Sequence, residues 1–319
     1  MMQKGVKVSI GIDLGGTTVK YALGTEEGEI LKEGEKSSYA QEDVTKILDN
    51  IGDCILEMKE YAHSKGLNPL AVGMGTPGTV NVPRGILMGS TPNFRYWKEV
   101  QVADELKKRV HLPVFVDNDA NLMALGEATF GSGIGKEDVI CVTIGTGVGG
   151  GIIINGKIYR GAYYAGAELG HSTLIAGGLA CKCGGDGCLE RYASATAMIR
   201  IYKRHARKAN KILSSEEITV KDIFEQAKNN NPIAKQTVHD SAYYLGRGLA
   251  SFINIFNPNI IIIGGGVAQA GRIYIDKVRE TTLQYAMKRT CENVEIVAAS
   301  LGNKAGFLGA LYFAIQCME

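Results

Sequence analysis

The chain has 319 residues, 45% of them hydrophobic and 21% charged, a length suited to two domains and a composition able to bury a sizeable core. Its 35 basic and 33 acidic side chains leave a formal charge of +2, which argues against a dedicated nucleic-acid binder. No apolar run approaches the roughly 20 residues needed to span a bilayer, so a transmembrane protein is excluded.

Residues 1–5 lead directly into a run at 6–13 that is rich in β-branched residues and reads as a buried strand, with no signal peptide before it. Leu14-Gly15-Gly16-Thr17-Thr18 turns the chain into a second strand at 19–23, and Glu26-Glu27-Gly28 turns it again before Ile30-Leu31. Val44, Ile47, Leu48, Ile51, Ile55 and Met58 recur at close to 3.6 residues and predict a helix over 44–62. Strands at 71–74 and 114–116 and a short helix at 121–130 follow. At 139–144 the opening phrase returns. A strand is followed by the turn Gly145-Thr146-Gly147-Val148-Gly149-Gly150-Gly151, a strand at 152–154 and the hairpin signal Asn155-Gly156, so the pattern looks like a structural duplication. Pro232 reads as part of a polar loop after Asn229-Asn230-Asn231. A strand at 260–263 runs into Gly264-Gly265-Gly266, and a helix at 304–315 ends the reading. Helices alternating with strands predict an α/β fold. The expected division is a small N-terminal domain at 1–117, to which 303–319 returns, and a larger domain at 118–302.

Glycine is abundant, with 41 residues against a usual share of roughly 7%. Gly145-x-Gly147-x-x-Gly150 matches a dinucleotide fingerprint in form, but a strand and hairpin follow where that site needs a helix. Residues 151–157 begin like a P-loop, but Ile158 stands where a Ser or Thr would ligate magnesium. Two glycine-rich hairpins remain. Each reads either as a tight turn or as a cradle of backbone N–H groups for phosphates, with Thr17 and Thr146 adding hydroxyls. Asp13 at a strand end is placed to orient magnesium through water, and Lys20 adds positive charge. Gly264, Gly265 and Gly266 after a third strand favour a nucleotide site.

Seven cysteines, three of them in Cys181-Lys182-Cys183-Gly184-Gly185-Asp186-Gly187-Cys188, point to a reducing compartment, hence the cytoplasm, and to a metal site. His171 completes a closed, tetrahedral, structural zinc set with Cys181, Cys183 and Cys188. Such a loop draws Glu168, His171 and Glu190 toward one place, a grouping that suits a polyhydroxylated ligand. Asn118-Asp119 follows a strand, where α/β proteins place ligands; taken alone, Asp119 reads in preference as the cap of the helix beginning near Asn121.

Together these residues resemble the ROK family of repressors and sugar kinases, in the actin-like ATPase superfamily. The resemblance runs over nearly the whole chain and rests on Asp13-Leu14-Gly15-Gly16-Thr17, Gly75-Thr76-Pro77-Gly78, Asp117-Asn118-Asp119-Ala120-Asn121, the glycine run from Gly145, Glu168-Leu169-Gly170-His171 and the cysteine segment through Leu189-Glu190. It implies two actin-like (ribonuclease H-like) α/β domains with a ligand cleft between them, and Asp119 as catalytic base. The implied reaction is transfer of the ATP γ-phosphoryl group to the 6-hydroxyl of a hexose. Asn118, Asp119, Glu168, His171 and Glu190 would hold the sugar, with Thr76 and Asn93 from the other wall. Asp13, Gly15, Gly16, Thr17, Lys20, Thr143, Gly145, Thr146 and Gly147 would hold phosphates and magnesium, and Gly264, Gly265 and Gly266 would lie along the adenosine. A homodimer is implied as well.

Glucose is the expected substrate, because Thr91-Pro92-Asn93-Phe94 and the segment 117–127 look most like the family's glucokinases. N-acetylmannosamine, N-acetylglucosamine and fructose kinases share the site residues, and either ATP or polyphosphate is compatible as donor. Another class, the sugar-sensing repressors, carries a helix-turn-helix, for which a first strand at Val6 leaves no room. Arg200, Lys203, Arg204, Arg207, Lys208 and Lys211 share a helical face, read as a solvated face in preference to a nucleic-acid patch.

Overall fold

The computed structural model describes residues 6–89, 93–211, 218–267 and 272–319; residues 1–5 and the Thr91-Pro92 pair lie outside the described residues. The chain divides into two compact units, one of Met1–Gly135, Gly151–Ala167 and Ser300–Glu319, the other of Lys136–Gly150 and Glu168–Ala299.

The first unit is built on β1 (Val8–Leu14), β2 (Thr18–Thr25), β3 (Ile30–Ser37), β4 (Val72–Thr76) and β7 (Val114–Asn118), in the order β3-β2-β1-β4-β7. The turns at Gly15 and Gly28 make β1, β2 and β3 antiparallel neighbours, while β1, β4 and β7 are parallel. Between them run α1 (Val44–Ser64) and the short hairpin β5 (Val80–Asn81) and β6 (Ile86–Leu87), then α2 (Val102–Val110). The 3.6-residue stripe of α1 buries Ile47, Leu48, Ile51, Ile55 and Met58 against Ile10, Ile12, Val19 and Tyr21 of the sheet.

α3 (Asp119–Phe130) follows β7, and the last helix, α10 (Ala305–Gln316), lies in the same unit. Glycines set its depth. A Cβ on Gly11 would stand 2.0 Å from the Phe307 carbonyl oxygen, one on Gly73 1.8 Å from that of Ala310, and one on Gly309 1.7 Å from that of Leu122. Only bare backbone permits such contact. Glu127 of α3 is fully buried; its carboxylate accepts from the backbone N–H of Ser132 (3.1 Å), Ser300 (3.2 Å) and Leu301 (2.8 Å).

The second sheet has the order β10-β9-β8-β11-β12, with β8 (Val139–Ile144), β9 (Val148–Ile154), β10 (Lys157–Ile158), β11 (Ile260–Gly264) and β12 (Glu295–Ala298). This is the order of the first sheet, and it matches the repeated phrase in the sequence. Asn155 (φ 51°) and Gly156 (φ 72°) form the expected turn between β9 and β10. β9 begins at Val148, not at 152: Gly149, Gly150 and Gly151 are strand, and only Gly145, Thr146 and Gly147 turn the chain. The reason is close packing, since a Cβ on Gly150 would meet the Cys141 carbonyl oxygen at 2.7 Å.

The remaining helices are α4 (Glu190–Ala193), α5 (Ala195–Lys208), α6 (Val220–Lys228), α7 (Pro232–Phe256), α8 (Arg272–Tyr285) and α9 (Lys288–Cys291). Pro232 does not sit in a loop: it is the first residue of the 25-residue α7, where its missing N–H has no helical partner to lose, and Asn231 caps the helix. Among the described residues no helix is long and apolar enough to cross a membrane.

Candidate functional site

In the first unit the chemistry gathers at the carboxyl ends of the parallel strands. Asp13 pairs in register with Lys20 on β2 and Gly75 on β4; Gly75 and Thr76 pair in turn with Asp117 and Asn118 on β7. One sheet edge thus carries Asp13, Thr76 and Asn118, with Asp119 following as the first residue of α3. The cap of α3 is Asn118, not Asp119. Asn118 Oδ1 accepts from the N–H groups of Ala120 (2.9 Å) and Asn121 (3.2 Å), and its Nδ2 donates to the Gly78 carbonyl (3.2 Å). Asp119 Oδ1 also accepts from Ala120 N–H, at 2.9 Å. Gly75 lets the helix start close to β4, since a Cβ there would stand 3.3 Å from Asp119 Cα.

Asp13 and Asp119 are coupled electrostatically. Burial first, and then the Asp119 charge, raise the Asp13 pKa to about 7, against the opposing pull of Lys20. Gly306 of α10 leaves room for this carboxylate, because a Cβ there would stand 2.4 Å from Asp13 Oδ2. Two neighbouring carboxylates with surplus negative charge suit a hard divalent cation such as magnesium. Beside them, Gly15 N–H donates to the Thr18 carbonyl (2.9 Å) in a turn that leaves Gly16 and Thr17 exposed. Asn93 lies against Gly16, 3.2 Å from where its Cβ would be. Thr76 is fully buried, its hydroxyl accepting from Trp97 Nε1 (2.8 Å) and donating to the Pro77 carbonyl.

In the second unit two glycine turns adjoin at parallel strand ends, where Thr143 pairs with Gly264. Gly145 N–H donates to the Gly147 carbonyl (3.0 Å), leaving Gly145 and Thr146 exposed. The start of α5 fastens this turn from behind: Ala195 N–H donates to the Gly145 carbonyl (2.9 Å) and Thr196 Oγ1 to that of Thr146 (2.8 Å). Gly265 has φ 85° and packs on Ile144, and the Cα of Gly266 faces open space. Glu190 Oε2 accepts from Val148 N–H (3.0 Å) and fills the space beside Gly147. Gly170 presses on the Val148 carbonyl, and His171 N–H donates to that of Glu168 (3.0 Å), so Glu168, His171 and Glu190 gather beside the Gly147–Val148 backbone.

The His171, Cys181, Cys183 and Cys188 ligand atoms all lie within 4.8 Å of one another, with His171 Nδ1 and Cys181 Sγ 3.6 Å apart and the Cys183 and Cys188 sulfurs 3.6 Å apart. These separations are compatible with a tetrahedral Cys3His zinc site. Burial pushes the Cys188 thiol up to about 12, while the Gly185 backbone N–H holds Cys183 below the usual thiol range. Gly187, at φ 66°, closes the loop where any Cβ would strike the Ile175 carbonyl.

Two groups carry no role of their own in the sequence reading. Asp117 Oδ2 receives Arg160 Nε (2.7 Å), and Glu127 receives Ser300 and Leu301; the partners lie 43 to 174 residues away, so no local pattern announces them.

The ROK family model matches residues 9–317. A glucokinase of Thermotoga maritima is 38% identical over 307 residues, covering 94% of this chain and 95% of its own. A xylose repressor of Caldicellulosiruptor bescii is 32% identical, covering 99% of this chain and 80% of its own. The crystal structure of a ROK family glucokinase from Streptomyces griseus in complex with glucose and AMPPNP superposes with a TM-score of 0.81 at 36% identity, over 97% of this chain and 99% of that one. With α/β units on same-order sheets and matches spanning almost every residue, the chain belongs to the ROK family and has its actin-like fold.

Proposed function

We propose that the protein is an ATP-dependent sugar kinase that phosphorylates the 6-hydroxyl of glucose, with Asp119 as general base. The observation that carries this reading is the coupled carboxylate pair Asp13, at the carboxyl end of β1, and Asp119, at the start of α3, with the exposed Gly16-Thr17 turn following Asp13. The glucokinases among the relatives support the choice of glucose.

Asp119 accepts the proton of the attacking hydroxyl as the bond to phosphorus forms; its carboxylate is a weak base, and the loose transition state asks little more. Its bond to Ala120 N–H, at 2.9 Å, holds the carboxylate at the first turn of α3. Glu168, His171 and Glu190 take sugar hydroxyls. Asn118 fixes the corner through its cap, Asn93 offers its amide from the neighbouring wall, and buried Thr76 braces that wall through Trp97. The exposed turns at Gly16-Thr17 and Gly145-Thr146, with half-buried Gly15, Thr143 and Gly147 beside them, take phosphate oxygens, with Lys20 adding charge. Gly264, Gly265 and Gly266 receive the adenosine. Asp13 would hold magnesium through water, and that ion would neutralise charge on the phosphates. His171 Nδ1, Cys181, Cys183 and Cys188 would hold zinc, which would order the loop leading to Glu190, with His171 Nε2 turned to the sugar.

Sugar-dependent ADP release with Mg-ATP across glucose, N-acetylmannosamine, N-acetylglucosamine and fructose tests this. Glucose turns over fastest, and Asp119→Asn lowers kcat by about 100- to 10,000-fold with glucose still bound. Turnover confined to another of these sugars replaces glucose as substrate. Sugar binding without turnover of any moves the protein to the sensor class.

A further inference from the structure

We infer that Arg160 is a positioning residue for the proposed base, acting through Asp117; the inference rests on the assignment of Asp119 above. Asp117 is 1% exposed, and each of its oxygens is engaged. Oδ1 accepts from Asn118 N–H (2.7 Å) and Asn121 Nδ2 (3.1 Å), two donors in the corner that ends β7 and opens α3. Oδ2 accepts from Arg160 Nε (2.7 Å) and Nη2 (2.6 Å). The guanidinium in turn lies over the Phe313 ring of α10, 5.5 Å from its centroid, and Phe313 meets Phe115 of β7 edge-on.

Arg160 also closes the base of a loop, since its carbonyl accepts from Gly166 N–H (2.9 Å). That loop turns through positive φ at Gly161, Tyr164 and Ala167 and delivers the chain to Glu168. One side chain therefore fastens the segment leading to Glu168 to the carboxylate that orders Asn118, the cap beside which Asp119 stands. A buried carboxylate stripped of its guanidinium would turn toward other donors, and the corner would shift with it. A misplacement of about 1 Å at reacting groups is enough to cost about 100-fold in rate.

The test compares wild type, Arg160→Met, Arg160→Lys, Asp117→Asn and the double variant Asp117→Asn/Arg160→Met. It reads kcat, KM for glucose and for Mg-ATP, melting temperature and amide exchange over residues 117–122. Arg160→Met is expected to lower kcat about 100-fold, to leave KM for Mg-ATP within about threefold, and to speed exchange at Ala120 and Asn121. Arg160→Lys, which keeps the charge and loses the fork, recovers about tenfold of that loss. The double variant is no worse than the worse single one, as groups acting as a unit require. Unchanged kcat with unchanged exchange overturns the inference, as does a loss of kcat that only follows the unfolded fraction. If Arg160→Met does not fold, Arg160→Lys and the double variant decide by the same readouts. If the wild type turns over no sugar, the kinase reading fails separately. Exchange at Ala120 and Asn121 then decides alone: unchanged protection in Arg160→Met overturns the positioning role, and faster exchange upholds it.

Discussion

Asp13 is held in a state that water would not allow it. Its folded pKa of about 7 lies above the ordinary 3.8, because burial and the Asp119 charge both oppose ionisation. A raised acid pKa means that the unfolded chain gives up this proton more readily, so stability is lost as pH rises from about 4 through about 7. Asp13→Asn removes that loss. The ligand-free variant should melt several degrees higher than wild type at pH 8, an effect on the order of 2–4 kcal/mol that disappears near pH 4. Melting curves across this range check it; a gain that is equal at both ends would locate the cause elsewhere. The same variant should lose turnover, which separates what the carboxylate does for folding from what we propose it does for the phosphates.

At the scale of elements, the cysteine loop shows best how local sequence can dictate a site. Four ligand atoms come together because Gly184, at φ 97°, and Gly187, at φ 66°, bend the chain where other residues would clash or strain. Cys183→Ser should release the zinc we propose there, weaken glucose binding about tenfold or more, and change ATP affinity far less, because the loop carries Glu190 and His171. Metal content together with titration of each ligand decides it; retained zinc, or equal loss of both affinities, counts against the loop's role. Such glycine-bent segments were legible in the sequence, as were β1, α1, β8 and the Asn155-Gly156 hairpin. Other elements were hidden for identifiable reasons. The start of β3 at Ile30-Leu31 was legible but its run to Ser37 was not, because it continues as an edge strand of polar residues without the apolar run that advertises a strand. α7 hid behind Pro232, whose effect depends on whether it stands inside a helix or at its first turn. Asp117 was visible only as part of a motif, and Arg160 not at all. Their meaning lies in a contact across 43 residues.

For the whole molecule, substrate identity has a thermal signature. A sugar that binds only the folded protein stabilises it by about 2.7 kcal/mol at 100 times its Kd, on the order of 5 °C in melting temperature for a chain of this size. Glucose is expected to give this shift and N-acetylmannosamine to give less, with a scan at matched concentrations as the check. The two sheets share one strand order, yet the first is completed by a helix from the far end of the chain. Gly11, Gly73 and Gly309 let α10 sink against β1, β4 and α3, and Gly306 seats the Asp13 carboxylate. A ribosome adding roughly 5–20 residues per second makes α10 on the order of 15–60 s after β1. Throughout that interval β1 and β4 wait with an open face, and the pocket around Asp13 lacks a wall. Translation order therefore acts as a timer: the pocket around Asp13 stays unwalled until α10 has been made, and a ribosome that stalls before Gly306 leaves a polypeptide without that wall.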